Sequence, residues 1–151
     1  MSIVLRTSYD NMTSDIKSIL VCIDGSSNSN RAATFAAGMA KKFGAAVTLL
    51  FVVAPSDHDM LAGKSSFLDE YKGFGEQRLE KAEVIFTDAG VAFHKEVEFG
   101  HAAEKILMVS EHGYDLVVIG TRGLSAIRGF IMGSVSSQVS QHSKVPVLVV
   151  P

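Results

Sequence analysis

The sequence predicts one α/β domain: a single doubly wound, Rossmann-like open parallel five-stranded sheet with helices on both faces. Three observations predict it. Short apolar runs alternate along the whole chain with longer segments that carry an i, i+3, i+4 apolar stripe, which is the pattern of repeated β-α-β units. The striped spacers are long enough to hold the crossover helix that parallel neighbours require, and such crossovers are right-handed. Glycine punctuates the ends of the striped segments, at Gly44, Gly90 and Gly113, as helix C-terminal caps do.

In order, the first strand is Ser18 to Ile23, apolar throughout, as a central strand covered on both faces should be. It ends in Asp24-Gly25-Ser26-Ser27, whose side chains suit a helix N-cap. The first helix is expected to bury Ala32, Phe35, Ala36, Met39, Ala40 and Phe43. A second strand, Ala46 to Val53, is stopped by Ala54-Pro55. After a polar loop, a long helix shows an inner stripe of Leu68, Tyr71, Gly75, Leu79, Ala82, Ile85 or Phe86, and Ala89. The third strand, Val91 to Phe99, mixes apolar and charged residues, which suggests a sheet edge with a wetter face. A helix from Gly100-His101 carries Ala103, Ile106 and Leu107. Then follow a buried strand from Asp115 to Ile119, a glycine-bearing loop, a helix from Ser134 to about His142, and a last strand from Pro146 to Val150. Residues 1–17 form a polar leader before the 18–151 domain, with no repeat and no further boundary.

Composition narrows the function. Of 151 residues, 14 are Lys or Arg and 16 are Asp or Glu, a net charge of −2, so no global field recruits nucleic acid or an anionic membrane. No apolar run approaches the roughly 20 residues of a membrane span, and no signal-peptide core is present, which makes the cytoplasm the default location. The lone Cys22 excludes an internal disulfide and reads as a core thiol. Several short look-alikes fail on spacing. Ala62-Gly63-Lys64-Ser65 has His58 where a P-loop needs its leading glycine, Gly73-x-Gly75 lacks the third glycine of a dinucleotide fingerprint, and Asp57-x-Asp59 has Leu61 where a calcium loop needs a ligand. The five histidines show no metal-ligand spacing.

Chemistry concentrates after the fourth strand. In an open parallel sheet, ligands bind beyond the C-terminal ends of the strands, where strand order reverses. Gly120-x2-Gly123-x9-Gly133-Ser134 begins at such an end and finishes at a helix mouth. The two leading glycines are expected to turn the chain sharply and let backbone approach a ligand without Cβ interference. Gly133-Ser134 would offer free N–H groups and the positive end of the helix dipole to an anion, with Arg122 and Arg128 adding charge. The 13 residues between Gly120 and Ser134 are long against the usual connection of about 2–6, and long loops of this kind are disproportionately functional. An ordinary βα connection with routine capping is the competing reading.

The motif Gly-x2-Gly-x9-Gly-Ser, following Val-Ile-Gly and preceding a terminal Pro-Val-Leu-Val-Val, resembles the ATP-binding branch of the universal stress protein family. Ile19 to Ser26, Ile-Leu-Val-Cys-Ile-Asp-Gly-Ser, is similar to the family's first strand and acidic turn. The resemblance covers residues 18 to 151. It implies that Gly120, Gly123, Gly133, Ser134 and the backbone of Val135 hold phosphates and ribose, with Arg122 beside them. It implies that Asp24 sits at the adenosine end, that Val52 meets adenine with its main chain, and that Ile119 lines the same crevice. Without the resemblance, Asp24 reads equally as an Asx-turn or helix cap, and Val52 as core.

The function so implied is an ATP-binding regulator of the stress response. Mg2+ or Mn2+ would be held through the phosphates and not by protein ligands. No partner His stands at an arguable spacing from Ser26 to Ser29 or Ser134, so dedicated catalysis is not expected. The alternatives are a slow ATP hydrolase or nucleotidyl-transferring enzyme of the same α/β group, or a binder of AMP or a cyclic nucleotide. An apolar last strand at a sheet edge invites pairing, and the family pattern implies a homodimer through Val147 to Val150.

Overall fold

A computed structural model describes residues 16–54, 65–124, 129 and 132–151, with helical backbone alone for 65–68. The expectations placed on leader residues 1–15, on Pro55, on Arg128, on the side chain of Leu68, and on the look-alikes at 57–65 lie outside the described residues. The elements are β1 (Ser18–Cys22), α1 (Ser27–Phe43), β2 (Ala46–Val53), α2 (Ser65–Ala89), β3 (Phe93–Phe99), α3 (Ala102–Ser110), β4 (Leu116–Gly120), α4 (Ser134–His142) and β5 (Val147–Val150).

All strand pairs are parallel and the order is β3-β2-β1-β4-β5. The chain winds outward from β1 through β2 to β3, then crosses back to β4 and outward to β5. Strand order therefore reverses between β1 and β4, where a doubly wound sheet opens its ligand crevice. The strands alternate their apolar side chains between two cores. Ile19, Val21 and Ile23 pack with the alanines of α1 and with Leu79, Ala82 and Phe86 of α2. Leu20, Cys22, Val117 and Ile119 pack with Ala103, Ile106 and Val109 of α3 and Val139 of α4. Helices thus cover both faces, and β3 and β5 are the edges. Phe86, not Ile85, joins Leu79 and Ala82 as a fully buried residue of the α2 stripe. Among the described residues no helix is long and apolar enough to cross a membrane.

Two expectations are corrected. Phe35 and Phe43 are 54% and 41% exposed, while Ala32, Ala33, Ala36, Ala37 and Ala40 are buried. Both stripes satisfy helical spacing, but the alanine face lets α1 lie close on the sheet and pushes the rings to its flank. The third strand starts at Phe93 rather than Val91. Gly90 takes φ +70° and Val91 N–H bonds back to the Phe86 carbonyl, so those residues close the helix instead. Residues just before Ser18 also contact the sheet. Ala46 N–H donates to the Lys17 carbonyl, Lys17 and Ser18 N–H both donate to Asp115 Oδ2, and Ile16 packs on the core.

Candidate functional site

A crevice of about 440 Å³ opens at the C-terminal ends of β1, β2 and β4, on the face covered by α3 and α4. Its apolar part is walled by Cys22, Leu50, Val52, Ile106 and Ile119; its polar part by Asp24, Gly120, Arg122, Gly123 and the α4 mouth from Gly133 to Ser137.

The ladder pattern explains why Val52 matters there. In a parallel strand the N–H and C=O of one residue point to the same side, and successive residues alternate sides. Ile23 N–H donates to the Leu50 carbonyl, toward β1, and Gly100 N–H to the Val53 carbonyl, toward β3. Val52 therefore aims its N–H and C=O toward β1, which has ended at Cys22. Among the described residues no backbone group meets them, so one donor and one acceptor face the crevice side by side.

Asp24 joins β1 to the glycine loop. Its Oδ1 accepts from Ser26 N–H at 2.9 Å, an Asx-turn, and its Oδ2 accepts from Leu124 N–H at 3.0 Å. The Asx-turn reading of Asp24 holds, and the same carboxylate forms part of the crevice wall. The structure also changes the reason for the glycines. Gly120, Gly123 and Gly133 do not take positive φ, so no sharp left-handed turn demands them. A Cβ on Gly120 would lie 2.9 Å from the Asn28 backbone carbon, and a Cβ on Gly123 would collide with Asp24 Oδ2. At Gly133 a Cβ meets nothing closer than 3.5 Å, an ordinary contact.

The two ends of the loop are clasped at Thr121. Its carbonyl accepts from Gly133 N–H and from the buried Ser136 hydroxyl, both at 2.7 Å. Gly133 is the N-cap of α4 and, being glycine, makes no side-chain cap hydrogen bond. The N–H groups of Ser134 and Val135 belong to the unpaired first turn and open on the crevice with the positive end of the helix dipole.

Cys22 is both core and crevice wall. Burial pushes its thiol up to about 12, and the nearby Asp24 carboxylate adds to the rise, so it stays a neutral, unreactive thiol at ordinary pH. No group of three or more His, Cys, Asp or Glu is placed to hold a metal ion among the described residues.

Asp24, Val52, Ile119, Gly120, Arg122, Gly123, Gly133, Ser134 and Val135, the nine residues singled out in the sequence, all line this one crevice. Sequence reasoning missed Asn28, Thr121 and Ser136, whose hydrogen bonds shape the loop. Asn28 and Ser136 stand at helix starts, where polar residues are too common to mark such a role, and Thr121 directly follows a strand end without a motif of its own.

Residues 15–151 match the universal stress protein family. A protein of Staphylococcus haemolyticus named as a universal stress protein is 33% identical over 138 residues, covering 89% of this chain and 84% of that one. Among solved structures, universal stress protein UspA from Lactobacillus plantarum superposes with a TM-score of 0.77 at 23% identity, over 90% of this chain and 98% of that one. A universal stress protein in complex with cAMP superposes with a TM-score of 0.71 at 27% identity, over 89% and 97%.

Proposed function

This chain belongs to the universal stress protein family, and we propose that it is an ATP-binding regulator of the stress response. One observation carries the reading: a paired donor and acceptor on Val52, the Asp24 carboxylate, and an uncapped helix mouth with a Cβ-free N-cap all line a single crevice.

The available groups fit an adenine nucleotide. The N–H and C=O of Val52 complement the ring nitrogen and exocyclic amine of adenine, and Leu50, Ile106 and Ile119 supply apolar contact for its faces. The N–H groups of Ser134 and Val135 suit phosphate oxygens, with Arg122 beside them. The nucleotide supplies a phosphoanhydride that a partner could read; Mg2+ or Mn2+ would be carried on its phosphates. Asp24 is the only carboxylate among the described residues of the crevice, and both its oxygens already accept backbone N–H bonds. A general base for water therefore has no ready candidate beside the loop, which favours holding over hydrolysis.

Equilibrium titration of ATP, on protein stripped of copurified nucleotide, tests the proposal. Micromolar or tighter binding is expected, and no detectable affinity overturns it. The cAMP-bound relative favours a second reading, a binder of AMP or a cyclic nucleotide, which competition among ATP, AMP and cAMP separates from the first. Steady release of phosphate with Mg2+ or Mn2+ would instead support the hydrolase alternative. Pairing of two copies through the open edge of β5 completes the proposal, and sedimentation at micromolar concentration should find a dimer.

A further inference from the structure

Thr121 stands outside the crevice lining, yet every polar group it owns is engaged on a different element. Its N–H donates to the Val150 carbonyl of β5 at 2.9 Å. Its carbonyl accepts from the N-cap Gly133 and from Ser136 in the first turn of α4. Its hydroxyl accepts from Asn28 Nδ2 of α1 at 2.9 Å. Asn28 is held in turn: its Oδ1 accepts from an Arg31 guanidinium nitrogen at 3.0 Å, and Arg31 Nε donates to the Pro151 carbonyl at 2.8 Å. The edge strand, the first helix and the α4 mouth therefore meet at one residue.

We propose that Thr121 is the positioning residue of the phosphate end of the site, fixing the α4 mouth against the first turn of the loop through the Asn28–Arg31 chain. The assignment rests on the nucleotide reading above. The physical argument is one of preorganisation. The Thr121 carbonyl can hold Gly133 and Ser136 in place only while its own peptide plane is fixed. The β5 ladder bond fixes the preceding Gly120–Thr121 peptide unit, and the Asn28–hydroxyl bond anchors the residue between that unit and the one that carries the carbonyl. The Arg31 guanidinium, by holding the Asn28 oxygen, turns the amide N–H2 toward Thr121. With the hydroxyl gone, Thr121 keeps its ladder bond but loses its tie to α1, and the N–H groups of Ser134 and Val135 sample more orientations before a phosphate arrives.

The test compares ATP with adenosine, which lacks phosphates, on the parent, Thr121→Val, Thr121→Ser and Asn28→Ala. Thr121→Val keeps the side-chain shape and removes one hydrogen bond, so ATP affinity should fall on the order of 5- to 10-fold while adenosine affinity stays within about twofold. Thr121→Ser, which retains the hydroxyl, should restore ATP binding. Asn28→Ala, should Thr121→Val fold poorly, carries the same comparison from the helix side. The double variant should lose little beyond either single one. Equal loss for ATP and adenosine marks a merely structural role and overturns the assignment, as does an unchanged ATP affinity in Thr121→Val or no rescue by serine. A parent that binds neither ligand overturns the nucleotide reading itself. A parent that favours ATP over adenosine while Thr121→Val matches it overturns this assignment alone.

Discussion

Gly123→Ala separates the structural demand on the glycine loop from any ligand. The new Cβ would overlap Asp24 Oδ2, and that carboxylate is pinned by Ser26 N–H on one oxygen and Leu124 N–H on the other. To admit the methyl, the carboxylate must turn away from Leu124 or the loop must lift from β1. Either change gives up about one hydrogen bond to a charged acceptor, worth about 1.5–3 kcal/mol. Asp24 is only partly buried and Leu124 is exposed, so water replaces part of that loss and the lower end applies. Replacing glycine at an allowed φ returns about 0.5 kcal/mol through the unfolded chain. Gly123→Ala should therefore destabilise the ligand-free protein by about 1 kcal/mol, a fall in Tm of about 2–4 °C for a domain of this size. Asp24→Ala removes the obstacle, and in that background Gly123→Ala should stabilise by about 0.5 kcal/mol. Urea unfolding of the four proteins, stripped of nucleotide, would then give a coupling near 1.5 kcal/mol. An additive cycle refutes the reasoning, because it means the loop does not lean on Asp24.

The remaining predictions concern the neighbouring positions. Gly133→Val should cost the ligand-free protein no more than about 1–2 kcal/mol. Its Cβ already completes an ordinary contact shell on the protein side, so the two further methyls turn to the crevice, and ATP affinity should drop at least about tenfold by titration. Gly120→Ala puts a methyl 2.9 Å from the Asn28 backbone carbon, which must shift α1. Urea unfolding should show a loss of about 1–3 kcal/mol. Gly75→Ala meets Val97 Cγ1 at 2.6 Å and should cost a similar amount with nucleotide affinity unchanged. For Cys22 the sign is set by a folded value raised from 9.0 to about 12. Between those values the unfolded chain releases the thiol proton and the folded one keeps it. Its stabilisation is therefore complete below about pH 9 and lost as pH rises toward 12, by roughly 1.4 kcal/mol per unit. Cys22→Ala should flatten that part of the stability–pH curve.

Much of this arrangement was legible because it depends on periodicity. Continuous apolar runs at Ser18 to Ile23 and Asp115 to Ile119 belong to strands covered on both faces, and the charged alternation of Phe93 to Phe99 belongs to an edge. Those readings need only the difference between a two-residue and a 3.6-residue repeat. Periodicity fails where two stripes fit one helix. In α1 the ring-bearing stripe of Phe35 and Phe43 carries more apolar area, but the sheet selects the alanines because only they allow close approach. It also fails at junctions, where Gly90 and Val91 serve the helix end although Val91 has strand character. Thr121, Asn28 and Ser136 are invisible for a different reason. Each is a small polar residue whose role depends on partners 93 and 15 positions away, a distance that local pattern cannot register.

The glycines of the loop show why spacing alone overstates a ligand. Gly120 and Gly123 sit where a Cβ would strike the Asn28 backbone or the Asp24 carboxylate, so the fold requires their bareness whether or not anything binds. Gly133 has an extended backbone, φ −77° and ψ 165°, and only ordinary contacts at the Cβ position. Among the described residues no atom forbids a side chain there. Alanine or serine would fit, and serine would cap α4 better than glycine by satisfying an N–H that now points into the crevice. Glycine at this N-cap leaves the helix mouth unsatisfied where a stabilising alternative is sterically available. An unpaired set of donors kept at some expense to helix stability is what a phosphate would require, so of the three glycines Gly133 is the one whose absence of a side chain argues for a ligand.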